Sequence, residues 1–221
     1  MGSKRLPGKV LMKILNKPIL LHIFERLSKS VYIDDIIIAT TNQSQDLKIV
    51  NYAKKNKISY FSGYEDDLVG RVYECAISNK SDIIVEICGD CPLIDYRFVD
   101  DCISEYLNSD YDIVTNAISK TFPNGLETNI FSTKLLSDIN KKKLSKKYRE
   151  HLCAYILNNP KIFKIKSISA EDKYSYPNIK LTLDTYKDFK FIKNIYEKLY
   201  TKKAMIMTED IIKYINENMK I

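Results

Sequence analysis

A chain of 221 residues with 45% hydrophobic and 29% charged side chains can bury one well-formed core, and its composition is that of a folded globular protein. The longest apolar runs are far too short to cross a bilayer and no charged-then-apolar leader opens the sequence, so the expectation is a cytoplasmic protein with no membrane partner. The formal charge of +7 rests on scattered lysines, and the run of five between Lys141 and Lys147 reads as a solvated face; an anionic small molecule is the expected partner, not nucleic acid.

The opening stretch, MGSKRLPGKVL, packs Lys4, Arg5 and Lys9 around Gly2, Ser3, Pro7 and Gly8. Glycine lets peptide N–H groups turn inward toward an anion, Arg5 offers a planar fork of donors, and Lys9 offers a point charge. Such a loop suits a polyphosphate; the competing reading is a frayed basic terminus. It is not the G-x-x-x-x-G-K-[ST] loop of ATPases, because Val10 stands where the hydroxyl belongs.

A helix is expected over residues 17–30, with Pro18 in its first turn and Ile19, Leu20, Ile23, Phe24 and Leu27 as the core stripe. His22 falls beside that stripe as a surface or packing histidine. Residues 34–41 read as a continuously apolar strand buried on both faces, as in a parallel sheet. A helix (44–56), a strand (57–63), a helix (66–79), a strand (81–90), a helix (95–108) and a strand (111–116) follow. This alternation predicts a doubly wound α/β sheet, whose ligands sit at the carboxyl ends of the strands. That rule points to Thr40 and Thr41, the stretch from Gly89 to Asp95, and Asn116.

Beyond 116 the pattern changes to a loop and strand (120–132), a helix (145–159), a strand (161–169), an alternating strand over 178–185, and two amphipathic helices. One domain is expected over 1–221, with 117–177 as a lid or acceptor-side insertion. The cysteines at 75, 88, 91, 102 and 153 include one C-x-x-C, at 88 and 91, with no second pair to complete a zinc site; reduced structural thiols are expected.

Two strand ends carry carboxylates. C-G-D-C-P-L-I-D (88–95) brings Asp90 off a strand, where a carboxylate facing a triphosphate serves best as a Mg2+ ligand, while Asp95 stands where a helix N-cap belongs. L-T-L-D-T-Y-K-D-F (181–189) repeats the arrangement with Asp184 and a capping Thr185. No G-x-S-x-G elbow or Cys–His pair points to a nucleophilic hydrolase.

G-S-K-R-L-P-G-K (2–9), D-L-V-G-R-V-Y (67–73), G-D-C-P-L-I (89–94), F-P-N-G-L-E (122–127), R-E-H (149–151) and L-T-L-D-T (181–185) together resemble the sugar-activating cytidylyltransferases. That group contains CMP-sialic acid synthetase, 3-deoxy-manno-octulosonate cytidylyltransferase and spore-coat polysaccharide biosynthesis protein F. The resemblance implies a three-layer Rossmann-like nucleotidyltransferase sheet, with CTP and a sugar acid as substrates and a homodimer by family habit. It implies Mg2+ on Asp90 and Asp184, and catalytic roles for Arg5, Lys9 and Asp90. Gly2, Ser3 and Arg71 join the nucleotide side with the strand-end Thr40; Glu127, Arg149 and His151 join the acceptor side with Asn116. Arg71 alone would pass for an exposed helix arginine, and Arg149 for half of an ion pair with Glu150 or a neighbour.

The sequence departs from the pattern in places. Asn124 and Glu127 replace two aspartates, and Cys153 and Ala154 replace a threonine and a proline after R-E-H. Relatives carry a central strand before the glycine loop; here the first central strand is expected to be missing, unless another segment fills its place. The alternative functions are a nucleotide-sugar-dependent glycosyltransferase and a non-catalytic nucleotide-binding relative.

Overall fold

The computed structural model describes residues 1–201 and 205–218. After the glycine loop and a 3-10 turn at Lys9–Leu11, a small hairpin pairs β1 (Lys13–Ile14) with β2 (Lys17–Pro18). Leu15 and Asn16 turn it with φ of 49° and 64°. Both values match the right-handed twist that a two-residue hairpin needs. Pro18 is the N-cap of α1 (Ile19–Leu27) and not a first-turn residue, so this helix is shorter than its periodicity predicts. His22 is a packing histidine: it is buried, and its Nε2 lies 2.9 Å from the Ile14 carbonyl oxygen.

The next elements are β3 (Ile37–Thr41), α2 (Leu47–Lys55), β4 (Ser59–Gly63), α3 (Leu68–Ser78), β5 (Ile83–Glu86), α4 (Tyr96–Leu107) and β6 (Ile113–Thr115). They lie inside the predicted segments. The anticipated cap at Asp95 forms, accepting from Arg97 N–H, and Asp67 caps α3 by accepting from Gly70 N–H. Then come β7 (Asn129–Ser132), α5 (Thr133–Asn140), α6 (Lys146–Glu150), α7 (Ala154–Leu157), β8 (Ile165–Ser167), α8 (Tyr186–Leu199) and α9 (Thr208–Asn218).

β3 and β4 pair in parallel, Ile37 opposite Ser59 through Thr41 opposite Gly63, with α2 as their crossover. The larger sheet runs β5-β7-β6-β8. Within it β7 is antiparallel to both neighbours, and β8 is parallel to β6. Among the described residues β3 pairs with β4 alone and β5 with β7 alone, so the sheet is in two pieces. The sequence predicts an interruption of this kind. It also explains why β3 and β5 are mostly half-buried, not buried on both faces as their apolar runs predict.

Alternation along the central strands builds the layers. Val114 and Ile130 point into a core with Ile19 and Ile23 of α1, Phe98 and Val99 of α4, Ile192 of α8 and Ile211 of α9. Ile113 and Phe131, their sequence neighbours, point into a second core with Val69 of α3, Leu136 and Ile139 of α5, and Ile156 of α7. Helices therefore cover both faces of the sheet, which is the three-layer arrangement. Each fully buried side chain of this size contributes about 1.5–3 kcal/mol.

Three segments differ from their periodicity. Residues 117–177 supply two strands, β7 and β8, to the sheet and do not lie wholly over it. The helix expected over 145–159 is broken at His151 into α6 and α7. Residues 178–185 alternate like a strand but form a single bridge, Asn124 to Lys180, because their backbone bonds go to irregular partners. Leu181 N–H donates to the Asn124 carbonyl and Leu183 N–H to the Asp90 carbonyl.

Candidate active site

The glycine loop closes on itself through Gly8 N–H and the Met1 carbonyl, 3.2 Å apart. Gly8 has φ of 73°, a left-handed conformation that glycine adopts without strain, and it starts the 3-10 turn that aims Lys9. The Lys9 side chain is only 15% exposed, and its Nζ lies 2.6 Å from Asp90 Oδ2 and 3.6 Å from Asp184 Oδ1. Arg5 Nη2 reaches the same Asp184 oxygen at 3.1 Å. Two carboxylates and two cations, from residues distant in sequence, thus meet at one point.

Lys180 was not anticipated. Its Nζ lies 3.0 Å from Asp184 Oδ2 and 2.8 Å from Asp188 Oδ2. Asp188 is also the capping-box partner of Thr185, the N-cap of α8, so that helix start orients the whole cluster. Burial would raise the Asp184 pKa, but Lys180, Lys9 and Arg5 outweigh it and hold the carboxyl below its ordinary range. Lys180 stands four residues before Asp184 on the same face of an alternating segment, a signal that the sequence does carry.

The loop 122–127 is stitched to this segment. Asn124 N–H donates to the Ile179 carbonyl, and Thr182 Oγ1 donates to Asn124 Oδ1 at 2.9 Å. Glu127 accepts from Gly125 N–H at 2.6 Å, which shapes the loop. The two stretches that resemble acceptor and metal motifs are therefore adjacent.

Other expected residues are occupied elsewhere. Ser3 Oγ accepts from Leu6 N–H inside the loop. Thr40 is buried and donates to Asp46, as does Thr41, so both hold the turn after β3. Arg71 donates to the Tyr64 carbonyl at 2.6 Å and bends over the 64–65 loop, whose Glu65 side chain borders Gly2. Asn116 is buried, with Nδ2 on the Leu126 carbonyl and Oδ1 on Thr128 N–H, and works as an internal strut. Arg149 donates to both oxygens of Asn140 and pairs with Asp67, not Glu150. His151 is exposed at the break between α6 and α7.

All five thiols are unbridged. Cys91 is buried, and burial pushes its pKa up, the opposite of the depressed thiol a redox C-x-x-C needs. No helix among the described residues is long and apolar enough to cross a membrane.

A Rossmann-like α/β layer structure, with a basic glycine loop set over carboxylates at segment ends, defines a nucleotidyltransferase. The family profile described as cytidylyltransferase matches residues 1–213, and the chain belongs to that family. A cytidylyltransferase from Leptospira borgpetersenii superposes with a TM-score of 0.92 at 32% identity, over 99% of this chain and 91% of that one. An uncharacterised protein of Methanocaldococcus jannaschii is 34% identical over 100% of this chain and 88% of its own length. The spore coat polysaccharide biosynthesis protein SpsF of Bacillus subtilis is 28% identical over 99% of this chain and 91% of its own. A CMP-2-keto-3-deoxy-manno-octonic acid synthetase solved with CTP shares the fold at 16% identity and a TM-score of 0.66, over 90% and 95% of the two chains.

Proposed function

We propose that this chain is a Mg2+-dependent cytidylyltransferase that transfers CMP from CTP to a sugar acid of the 3-deoxy-2-keto or nonulosonic type, for a surface polysaccharide or glycan. The acceptor hydroxyl oxygen bonds to the α-phosphorus, the bond from that phosphorus to the bridging oxygen breaks, and pyrophosphate leaves while the hydroxyl proton passes to solvent. The observation that carries this reading is Lys9 seated on Asp90 and Asp184 beneath the glycine loop. The CTP in the octonic acid synthetase structure and the polysaccharide role in the SpsF name support the choice of nucleotide and pathway.

The donor set fits a magnesium ion. Asp90 and Asp184 already converge on one cationic nitrogen. Mg2+ prefers one or two carboxylates with phosphate oxygens and water completing its shell. Bound there, it would neutralise charge at the α-phosphate and the leaving group. The chain's own part is positioning: Arg5 and Lys9 hold the β- and γ-phosphates, Asp90 and Asp184 hold the cation, and the 122–127 loop bounds the acceptor.

Equilibrium titration with CTP, UTP, ATP and GTP in Mg2+, followed by pyrophosphate release with candidate sugar acids, tests the reading. Tight binding of CTP alone, with a Mg2+ dependence weakened in Asp90→Asn, is the expected result. Binding of a nucleotide sugar in place of CTP would make the chain a glycosyltransferase. CTP affinity without turnover on any sugar acid would make it a binding relative.

A further inference from the structure

Without nucleotide, the place between Asp90 and Asp184 is held by the chain's own ammonium group. Lys9 contacts Asp90 Oδ2 and Asp184 Oδ1, the oxygens that converge on the proposed metal position, and it is the most sheltered of the cations there at 15% exposure. Arg5, 67% exposed, and Lys180, 41% exposed, touch Asp184 from its flanks. Two carboxylates this close repel unless a cation lies between them. Lys9 supplies one positive charge at the end of a flexible four-carbon stem, rooted in a single 3-10 turn.

We propose that Lys9 is a resident counter-ion that keeps the metal position closed until a nucleotide arrives. A divalent cation entering the nucleotide-free protein must displace a sheltered ammonium and leave it unpaired, which costs much of what the new carboxylate bonds contribute. A triphosphate changes this balance. It gives Lys9 an anionic partner of its own, so the ammonium moves from carboxylate to phosphate and the cation takes its place. Metal and nucleotide then favour each other's binding reciprocally. The metal enters with the nucleotide, and the empty enzyme does not collect cations. This inference rests on the proposed function for the triphosphate, but its first half concerns the free protein alone.

The test is a Mn2+ titration in the absence of any nucleotide, read by the paramagnetic resonance signal of free Mn2+. Wild-type protein is compared with Lys9→Met, Lys9→Gln, and Lys9→Met combined with Asp184→Asn, each checked for folding by circular dichroism. Removing the ammonium is expected to tighten Mn2+ binding about tenfold or more. The added Asp184→Asn should abolish that gain. Unchanged or weaker Mn2+ affinity in the folded Lys9→Met and Lys9→Gln proteins would overturn the inference, and would leave the cytidylyltransferase reading standing if CTP binds. Conversely, a tenfold gain in a protein that binds no CTP sinks that reading and leaves the counter-ion role intact.

Discussion

The backbone N–H of Leu183 donates to the carbonyl oxygen of Asp90 at 2.8 Å. This one bond ties the two carboxylate-bearing segments together, because Asp184 directly follows Leu183. It does for an irregular segment what a strand ladder would do in a sheet, and it sets the separation that lets one ammonium touch both side chains. The pair should therefore act as a unit in catalysis. Asp90→Asn and Asp184→Asn are each expected to lower the rate of pyrophosphate release by about a hundredfold or more, with the double variant little worse than either single one. Steady-state kinetics at saturating Mg2+ check this.

Gly125 has φ of +107°, and a Cβ built there would lie 2.8 Å from the Leu181 carbonyl carbon and 3.0 Å from Thr182 N. Neither backbone atom can yield without shifting the segment that carries Asp184. Gly125→Ala is expected to cost about 1–3 kcal/mol in urea denaturation, from strain at the left-handed backbone. Activity should fall beyond what lost stability explains, since the remaining folded protein has Asp184 displaced. A variant with wild-type kinetics would show that the two segments are not mechanically joined.

Asp95 is fully buried and serves three partners. It caps α4, pairs with Arg97 at 2.8 Å, and accepts from Thr208 at the start of α9. Asp95→Ala breaks that join and leaves Arg97 with Glu209 as a half-exposed partner. A loss of about 1–3 kcal/mol is expected, the range for leaving buried donors without their acceptor, since Arg97 stays partly exposed and paired with Glu209. Chemical denaturation measures it. Amide hydrogen exchange should show α9 loosening first, because Thr208 at its start is anchored on Asp95.

His22 supplies a pH signature near neutrality. Burial lowers its pKa from the ordinary 6.5, and the hydrogen bond with the Ile14 carbonyl only partly opposes this. The unfolded chain then binds the proton more readily than the folded one. Stability is complete above pH 6.5 and declines as pH falls from there through the lower folded-state value. His22→Gln should flatten that part of the stability curve. An unchanged slope would place the titration elsewhere.

Much of this was legible in local pattern. Apolar periodicity located most of the helices, though not α5, and most of the strands, since a face that must be buried repeats at the period of its element. Asp95 and Thr185 announced their helices because a cap acts on the two or three residues beside it. The chemical character of Gly2 to Lys9 was open to the same reading, whereas Asp90 lies in the turn beyond β5 and Asp184 closes a segment that forms no strand. The segment 178–185 misled because alternation reports only which side chains face inward. It says nothing of whether a neighbouring strand is there to pair.

Other features exist only once the chain is folded. Thr40 and Asn116 stand at strand ends, as a site residue should, yet Asp46 and the 126–128 backbone take up their polar groups. β7 enters the sheet between β5 and β6 and runs against both, a register no local signal encodes. By itself the sequence determined the class of chemistry, because residue types and short spacings fix which groups are available. Tertiary structure decided which of those groups meet. Lys9 finds Asp90 across 81 residues because a loop closure, a 3-10 turn and one Leu183–Asp90 backbone bond converge there.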